Sequence, residues 1–269
     1  MKSILLYTSN DPAMESRLQA ALDVARRCDA HLTLTQTLPY QDYLAIDMFG
    51  GAHLMADVLA ASEAIQTEVR EKMEARLANE AVKWDWQQYD GSTIDMIVDA
   101  SRFSDLVVFS LGDGEKINRN VQRSTLGEII MDSQRPVLAV PASGKGLGFD
   151  RAMVAYDGGD ESASAIRAAL PMLKQVGTVQ LVEVEEKESS FPMTDAAEYL
   201  ARHGVKCEIK EVRRGRESVA KTLLSHAESY RPDFIVMGAY GRGRLRENLF
   251  GGVTRHLLGE SQFPLLLSS

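Results

Sequence analysis

The sequence predicts an α/β protein with two tandem domains, each built on a parallel sheet flanked by helices. Three observations lead to this prediction. Short apolar runs alternate with helical patterns, two long stretches match at a constant spacing, and 269 residues are enough for two ordinary domains. The runs DLVVF and DFIVM are apolar at consecutive positions, which is typical of central strands buried on both faces.

Apolar and β-branched runs predict the strands in chain order. The predicted strands are residues 4–8, 32–38, 105–110, 136–140, 153–156, 178–184, 205–212, 233–238 and 264–268. Helical patterns lie between them, including residues 54–80 and 161–170. Strands that alternate with helices in this way form parallel sheets with helices on both faces.

An internal repeat relates the two halves of the chain. Residues 105–140 match residues 233–268 at a constant offset of 128. The first strands of the halves match as well, with Tyr7 aligned with Tyr156. Each half is therefore expected to fold into the same kind of unit.

Domain boundaries follow from the repeat. We predict domains at residues 1–142 and 150–269, joined by a linker at 143–149. The linker is rich in glycine and has no apolar periodicity, as is usual for a connection between domains.

Composition argues against several classes of function. A net charge of -8 disfavours a protein whose main ligand is the phosphate backbone of nucleic acid. No window approaches the length of a membrane span and the start lacks a signal-peptide core, so we expect a soluble cytoplasmic protein. The two cysteines lie far apart and the five histidines are scattered, so we expect neither a disulfide nor a metal site.

The most informative stretch follows the DFIVM strand. Residues 238–258 read GAYGRGRLRENLFGGVTRHLL, a glycine-dense loop that runs into an amphipathic helix. Glycines permit close approach of the backbone, and the first N–H groups of a helix are unpaired, so the pattern is typical of an anion site. A turn followed by a capped helix explains the same glycines, and this stretch alone leaves both interpretations open.

Nearly the whole chain resembles a tandem universal stress protein, in which two UspA domains share one polypeptide. The resemblance implies a Rossmann-like (HUP-type) fold with a five-stranded parallel sheet flanked by helices in each domain. Nucleotide-binding members of that family carry G-x2-G-x9-G followed by Ser or Thr, after a strand that ends in Met-Gly. The matching residues here are Met237, Gly238, Gly241 and Gly251. The next position departs from the pattern because it is Gly252, although Thr254 matches a second hydroxyl of the family.

The resemblance implies a site for ATP, with or without Mg²⁺, in the second half. The implied nucleotide-binding residues are Tyr156, Asp157, Val184, Met237, Gly238, Gly241, Arg242, Gly251, Gly252, Val253 and Thr254. Asp157 would accept a hydrogen bond from the adenine amino group, Val184 and Met237 would enclose the base, and the helix start would bind phosphates. Two residues keep ordinary alternatives: Asp157 as a turn or N-cap aspartate, and Arg242 as a solvated arginine.

The first half lacks the corresponding residues. Opposite Asp157 the alignment places Thr8, and opposite the glycines of the second half it places Ser110, Asp113, Arg123 and Ser124. Asp113 and Glu115 would put negative charge where a triphosphate binds, at a cost of about 1 kcal/mol or more. We therefore predict one nucleotide per chain.

The family also implies a function. Its members suggest an ATP-binding regulatory protein of the stress response that reports its nucleotide state to an unidentified protein partner. The sequence has no Walker A loop, no dinucleotide fingerprint, no G-x-S-x-G elbow and no identifiable catalytic base, so at most slow ATP hydrolysis is expected. The alternative is a nucleotide-free adaptor that uses an insertion in the first half, residues 40–81, to bind another ligand or protein.

Pairing between the domains is a further expectation. Family members pair through the strand that ends each domain, here PVLAVP and PLLLSS. Two apolar edge strands in one chain need cover, and pairing them with each other provides it. We therefore expect an intramolecular pseudo-dimer, while a homodimer of whole chains stays open.

Overall fold

A single ten-stranded sheet runs through both halves of the chain in this computed structural model. The structure describes residues 1–38, 52–111, 119–185, 192–239 and 252–269, and of residues 52–59 and 119–124 the backbone only. The strands are β1 (Ser3–Thr8), β2 (His31–Leu38), β3 (Lys83–Asp90), β4 (Leu106–Ser110), β5 (Val137–Val140), β6 (Arg151–Ala155), β7 (Thr178–Val184), β8 (Cys207–Val212), β9 (Phe234–Gly238) and β10 (Leu265–Ser268). Their order in the sheet is β3-β2-β1-β4-β5-β10-β9-β6-β7-β8, so each half contributes five neighbouring strands.

Helices cover both faces of this sheet. The helices are α1 (Met14–Cys28), α2 (Ala52–Leu77), α3 (Thr93–Ala100), α4 (Arg119–Asp132), α5 (Asp160–Leu173), α6 (Met193–Arg202), α7 (Val219–Tyr230) and α8 (Gly252–Glu260). One core cluster joins α1, α2, α5 and α6 to one face of the sheet, and a second joins α3, α4, α7 and α8 to the other. None of these described helices is long and apolar enough to cross a membrane. The predicted fold class is confirmed.

The two halves meet along an antiparallel pair of strands. In β10 and β5, Leu265 pairs with Ala139, Leu266 with Leu138 and Leu267 with Val137. The other neighbouring strands of the sheet pair in parallel. The expected pairing of the two apolar final strands is therefore present, and it joins the halves into an intramolecular pseudo-dimer.

One strand is missing from the sequence prediction. Strand β3 reads KWDWQQYD, and it lies at the outer edge of the sheet, where most of its side chains are only partly buried. Because most of its residues are polar, it lacks the apolar run by which the central strands were predicted. An edge strand has one unpaired side and needs less burial, so this weaker pattern is sufficient.

The alignment of the first strands is wrong by one residue. Ile4 of β1 pairs with Leu106 of β4. In the second half Phe234 corresponds to Leu106, and it pairs with Ala152 of β6. Ile4 therefore corresponds to Ala152, so β1 and β6 match at an offset of 148. Tyr7 therefore corresponds to Ala155, and Ser9, not Thr8, corresponds to Asp157. A one-residue slip moves every side chain to the other face, so Tyr7 and Tyr156 point to opposite faces.

The predicted linker packs against both halves. Leu147 and Phe149 are buried within the core cluster that contains α1 and α5. The backbone N–H of Leu147 donates to Asp23 Oδ2 of α1 over 2.9 Å, and the Phe149 ring packs edge-on against Phe234, with 6.0 Å between centroids. These contacts tie the connection to the rest of the molecule. The domain boundaries themselves stay a prediction.

Candidate functional site

The carboxyl ends of β6, β7 and β9 form the candidate site in the second half. Ala155 pairs with Met237, and Val184 ends the neighbouring strand β7. All three side chains point to the face that α7 and α8 cover. Ala155 is smaller than Val184 and Met237, and the base is predicted to lie between these two larger side chains.

The first turn of α8 belongs to the same face. Gly252 is the first described residue of this helix and is exposed, and a Cβ placed on it would meet no atom of the described residues within 4 Å. Val253 is half-buried and Thr254 is buried. The first N–H groups of a helix lack partners within it and carry a partial positive charge. This helix start is therefore open to an anion.

Asp157 forms a local turn. Its side chain is exposed, and Oδ1 accepts a hydrogen bond of 3.0 Å from the backbone N–H of Gly159, which is the N-cap residue of α5. Gly158 between them has φ of 73°, a conformation that glycine adopts without strain. The structure thus favours the turn interpretation of Asp157. Its contact with adenine stays a prediction.

The remaining predicted residues divide into two groups. Tyr156 is buried on the opposite face, under α5 and α6, so the structure does not bring it together with Val184 and Met237. Gly241, Arg242 and Gly251 lie outside the described residues. Their part in the site stays a prediction.

Gly238 has a packing role that the sequence pattern does not reveal. A Cβ on this residue would lie 2.6 Å from the carbonyl carbon of Glu161 and 2.7 Å from the backbone nitrogen of Ser162. Atoms that close must move apart, so the first turn of α5 packs on β9 only where β9 has no side chain. The glycine is required here even without a ligand.

Replacing Gly238 with alanine should therefore destabilise the protein by about 1–3 kcal/mol through overpacking. Gly252→Ala is the matched control, because its added methyl group enters open space and is expected to change stability by less than about 0.5 kcal/mol. Urea unfolding of both variants measures the difference. Equal stabilities would show that the close approach at Gly238 is not required.

Two aromatic rings occupy the corresponding positions of the first half. Tyr7 and Phe109 occupy the positions of Ala155 and Met237, and their rings stack with 5.0 Å between centroids and 21° between planes. Both are packed in the core cluster of the α8 face. A ring where the second half has a methyl group leaves little room for a base.

A buried arginine closes the same end of the first half. Arg17 of α1 is 2% exposed and lies within 5.5 Å of the Tyr7 ring. Its Nε donates to the Tyr7 carbonyl over 2.9 Å, Nη2 pairs with Asp11 Oδ2 at 2.8 Å, and Nη1 donates to Ser110 Oγ. The guanidinium thus links β1, β4 and the turn that follows β1.

Sequence reasoning missed Arg17, although a signal was present. Met14, Arg17, Leu18 and Ala21 recur at helical spacing, which puts a charged residue inside the apolar stripe of α1. At the corresponding positions the second half has Ala165 for Arg17 and Gly238 for Ser110. The network therefore occurs in the first half alone among the described residues.

Comparisons with known proteins agree with this geometry. Residues 148–268 match the model of the universal stress protein family. The second half is thus a universal stress protein domain. The comparison with curated proteins found no match.

Solved structures extend the similarity of fold to the whole chain. The structure of a universal stress protein from Archaeoglobus fulgidus DSM 4304 aligns with a TM-score of 0.75 at 18% identity. The alignment covers 99% of this chain and 97% of the other. A protein of Pseudomonas aeruginosa UCBPP-PA14 assigned to the same family covers 100% of this chain over 93% of its own, with a TM-score of 0.59 at 14% identity. The first half thus shares the universal stress protein fold.

Proposed function

We propose that this chain is an ATP-binding regulatory protein of the stress response, with one nucleotide site at the carboxyl ends of β6, β7 and β9. The observation that carries the proposal is the difference between matching positions of the two halves. The second half has Ala155 where the first has Tyr7, and an open helix start at Gly252. Membership of the family makes adenine nucleotide the ligand to test.

The proposed contacts follow from the described side chains. The base would lie between Val184 and Met237. The phosphates would face the N–H groups of Gly252 and Val253, with or without Mg²⁺. The hydroxyl of Thr254 and the residues Gly238, Gly241, Arg242 and Gly251 would complete the phosphate site. Asp157 would accept a hydrogen bond from the adenine amino group. Tyr156 would support the turn formed by Asp157 from the opposite face of the sheet.

No described residue of this site is a clear general base, so we propose nucleotide sensing and at most slow hydrolysis. The bound state would then be reported to a protein partner in the cytoplasm. A homodimer of whole chains is compatible with this role. The competing function is a nucleotide-free adaptor, which would explain why glycine replaces the family's Ser or Thr at position 252.

Calorimetric titration of the nucleotide-free protein with ATP tests the proposal. Gly252→Glu should weaken binding at least about tenfold because it places a carboxylate beside the phosphates, whereas Gly252→Gln adds a similar volume without charge and should weaken it much less. Both side chains enter open space, so neither is expected to disturb the fold. Asp157→Ala probes the base end of the site.

The expected stoichiometry is one ATP per chain. Two per chain would show that the rings of Tyr7 and Phe109 do not close the first half. No saturable binding, or equal affinities of the Glu and Gln variants, would reject the site and favour the adaptor.

A further inference from the structure

A cavity of about 280 Å³ lies between α5 and α6. It is on the opposite face of the sheet from Val184 and Met237. Buried side chains of Tyr156, Ile166 and Ala196 line it, together with half-buried Ala163 and Tyr199. An apolar cavity with a few polar groups at its margin is the usual form of a small-molecule site.

The first half shows that this space is not a necessary feature of the fold. Trp84 of β3 and Cys207 of β8 hold the same register in their halves. Residues 73–77 of α2 and 196–200 of α6 also share one burial pattern, with the first and last residues buried and the middle one exposed, so we match these two segments. Leu77 and Leu200 are both buried. Where Met73 fills the core of the first half, the second half has only Ala196.

The first half also carries a bridge between the matching helices. In the first half Arg76 pairs with Glu15 at 3.4 Å and donates to Gln19 Oε1 over 3.1 Å, which links α2 to α1. The corresponding residues of the second half are Tyr199, Ala163 and Arg167, and all three line the cavity. The opening thus results from particular side chains at matched positions.

Charge at the cavity favours a cation. The carboxylate of Asp195 lies at its margin, and Asp160 and the exposed Arg167, which carry opposite charges, complete the charged lining. Burial raises the pKa of Tyr156, and the carboxylates of Asp195, Glu183 and Asp157 raise it further, so the phenol stays neutral in a negative field. Two tyrosine rings can also receive a cation on their faces.

We propose that the cavity between α5 and α6 binds a small organic cation, an amine carried on a flat apolar group. The apolar group would lie against Ile166 and Ala196, and the amine would face the Tyr156 hydroxyl and Asp195. The cavity lies on the opposite face of the sheet from Val184 and Met237, and Tyr156 is the one described residue that it shares with the proposed nucleotide site.

Phenethylamine is the probe for the first experiment, with 3-phenylpropionate as an anion of similar shape. Titration of the full chain is followed by the methyl signals of Ile166 and Ala163 in NMR spectra. We expect saturable shifts with the amine and affinity at least about tenfold weaker for the carboxylate. Saturating ATP should leave the amine affinity unchanged.

Three variants separate binding from folding. Ala196→Met introduces the side chain that the first half carries at this position and should abolish the shifts while urea unfolding stays similar. Asp195→Asn should weaken amine binding, whereas Glu198→Gln, on the same helix but outside the cavity, should not. Equal binding of amine and carboxylate, binding retained in Ala196→Met, displacement by ATP, or no saturable shift in the natural sequence would each overturn the proposal.

Discussion

Replacing Asp11 with alanine is expected to lower the free energy of unfolding by about 3–5 kcal/mol, because it removes the carboxylate of a buried ion pair and leaves the charge of Arg17 uncompensated. Arg17 has almost no contact with solvent, and Asp11 is its paired anion at 2.8 Å. Urea unfolding near neutral pH measures the loss. A decrease below about 1 kcal/mol would show that the pair is no stronger than an exposed one.

The double variant D11A/R17M serves as the control. Methionine has similar length and no charge, so the double variant should be more stable than Asp11→Ala alone. If both variants are equally destabilised, the loss at Asp11 does not come from the orphaned charge.

The effect of Asp11 should also depend on pH. Burial acts to raise the pKa of Asp11, but attraction and a hydrogen bond from Arg17, with further bonds from Ser9 and Ala13, lower it overall. A carboxylate whose pKa is lower in the folded state contributes stability above its unfolded pKa, and that contribution is lost as pH falls through the folded value. The difference between natural and Asp11→Ala proteins should therefore be constant at neutral pH and shrink below pH 3.8.

Leu266→Ala is expected to cost about 2–5 kcal/mol, because it opens a cavity in the strand pair that joins the halves. Leu266 is 1% exposed and lies opposite Leu138, which is also buried. Urea unfolding of this variant tests the expected loss. The matched control is Ile209→Ala in the edge strand β8, whose side chain is 42% exposed and should cost less than about 1 kcal/mol. Similar losses in the two variants would show that the strand pair is not a principal source of stability.

Apolar runs were sufficient to predict the central strands, and the family resemblance implied their joining across β5 and β10. They could not predict β3, because an edge strand such as KWDWQQYD satisfies its backbone on one side only and carries polar residues on both faces. The tyrosines at 7 and 156 gave the wrong alignment of the first strands, since identity of a side chain does not report which face of a strand it occupies. Register depends on pairing with a neighbour, which a single sequence does not contain.

The candidate site was predictable in part. The family resemblance implied the strand ends at Val184 and Met237 and the helix start at Gly252, and in the structure Val184 and Met237 share the face that α8 covers. The roles of Gly238 and Arg17 were not predictable, since each depends on contact with an element distant in sequence. The cavity beside Tyr156 lies where Ala196 and Tyr199 take the positions of Met73 and Arg76. This difference is seen only when the two halves are compared.

The antiparallel pair of final strands has a consequence for synthesis of the chain on the ribosome. Strand β5 is complete 128 residues before its partner β10 is made. At about 5–20 residues per second, this interval lasts about 6–25 s. Throughout it, the first half presents Val137 to Val140 as an uncovered apolar edge. Neighbouring nascent chains on the same messenger RNA present the same edge, so slow translation of the second half prolongs the period in which β5 can pair with the wrong chain.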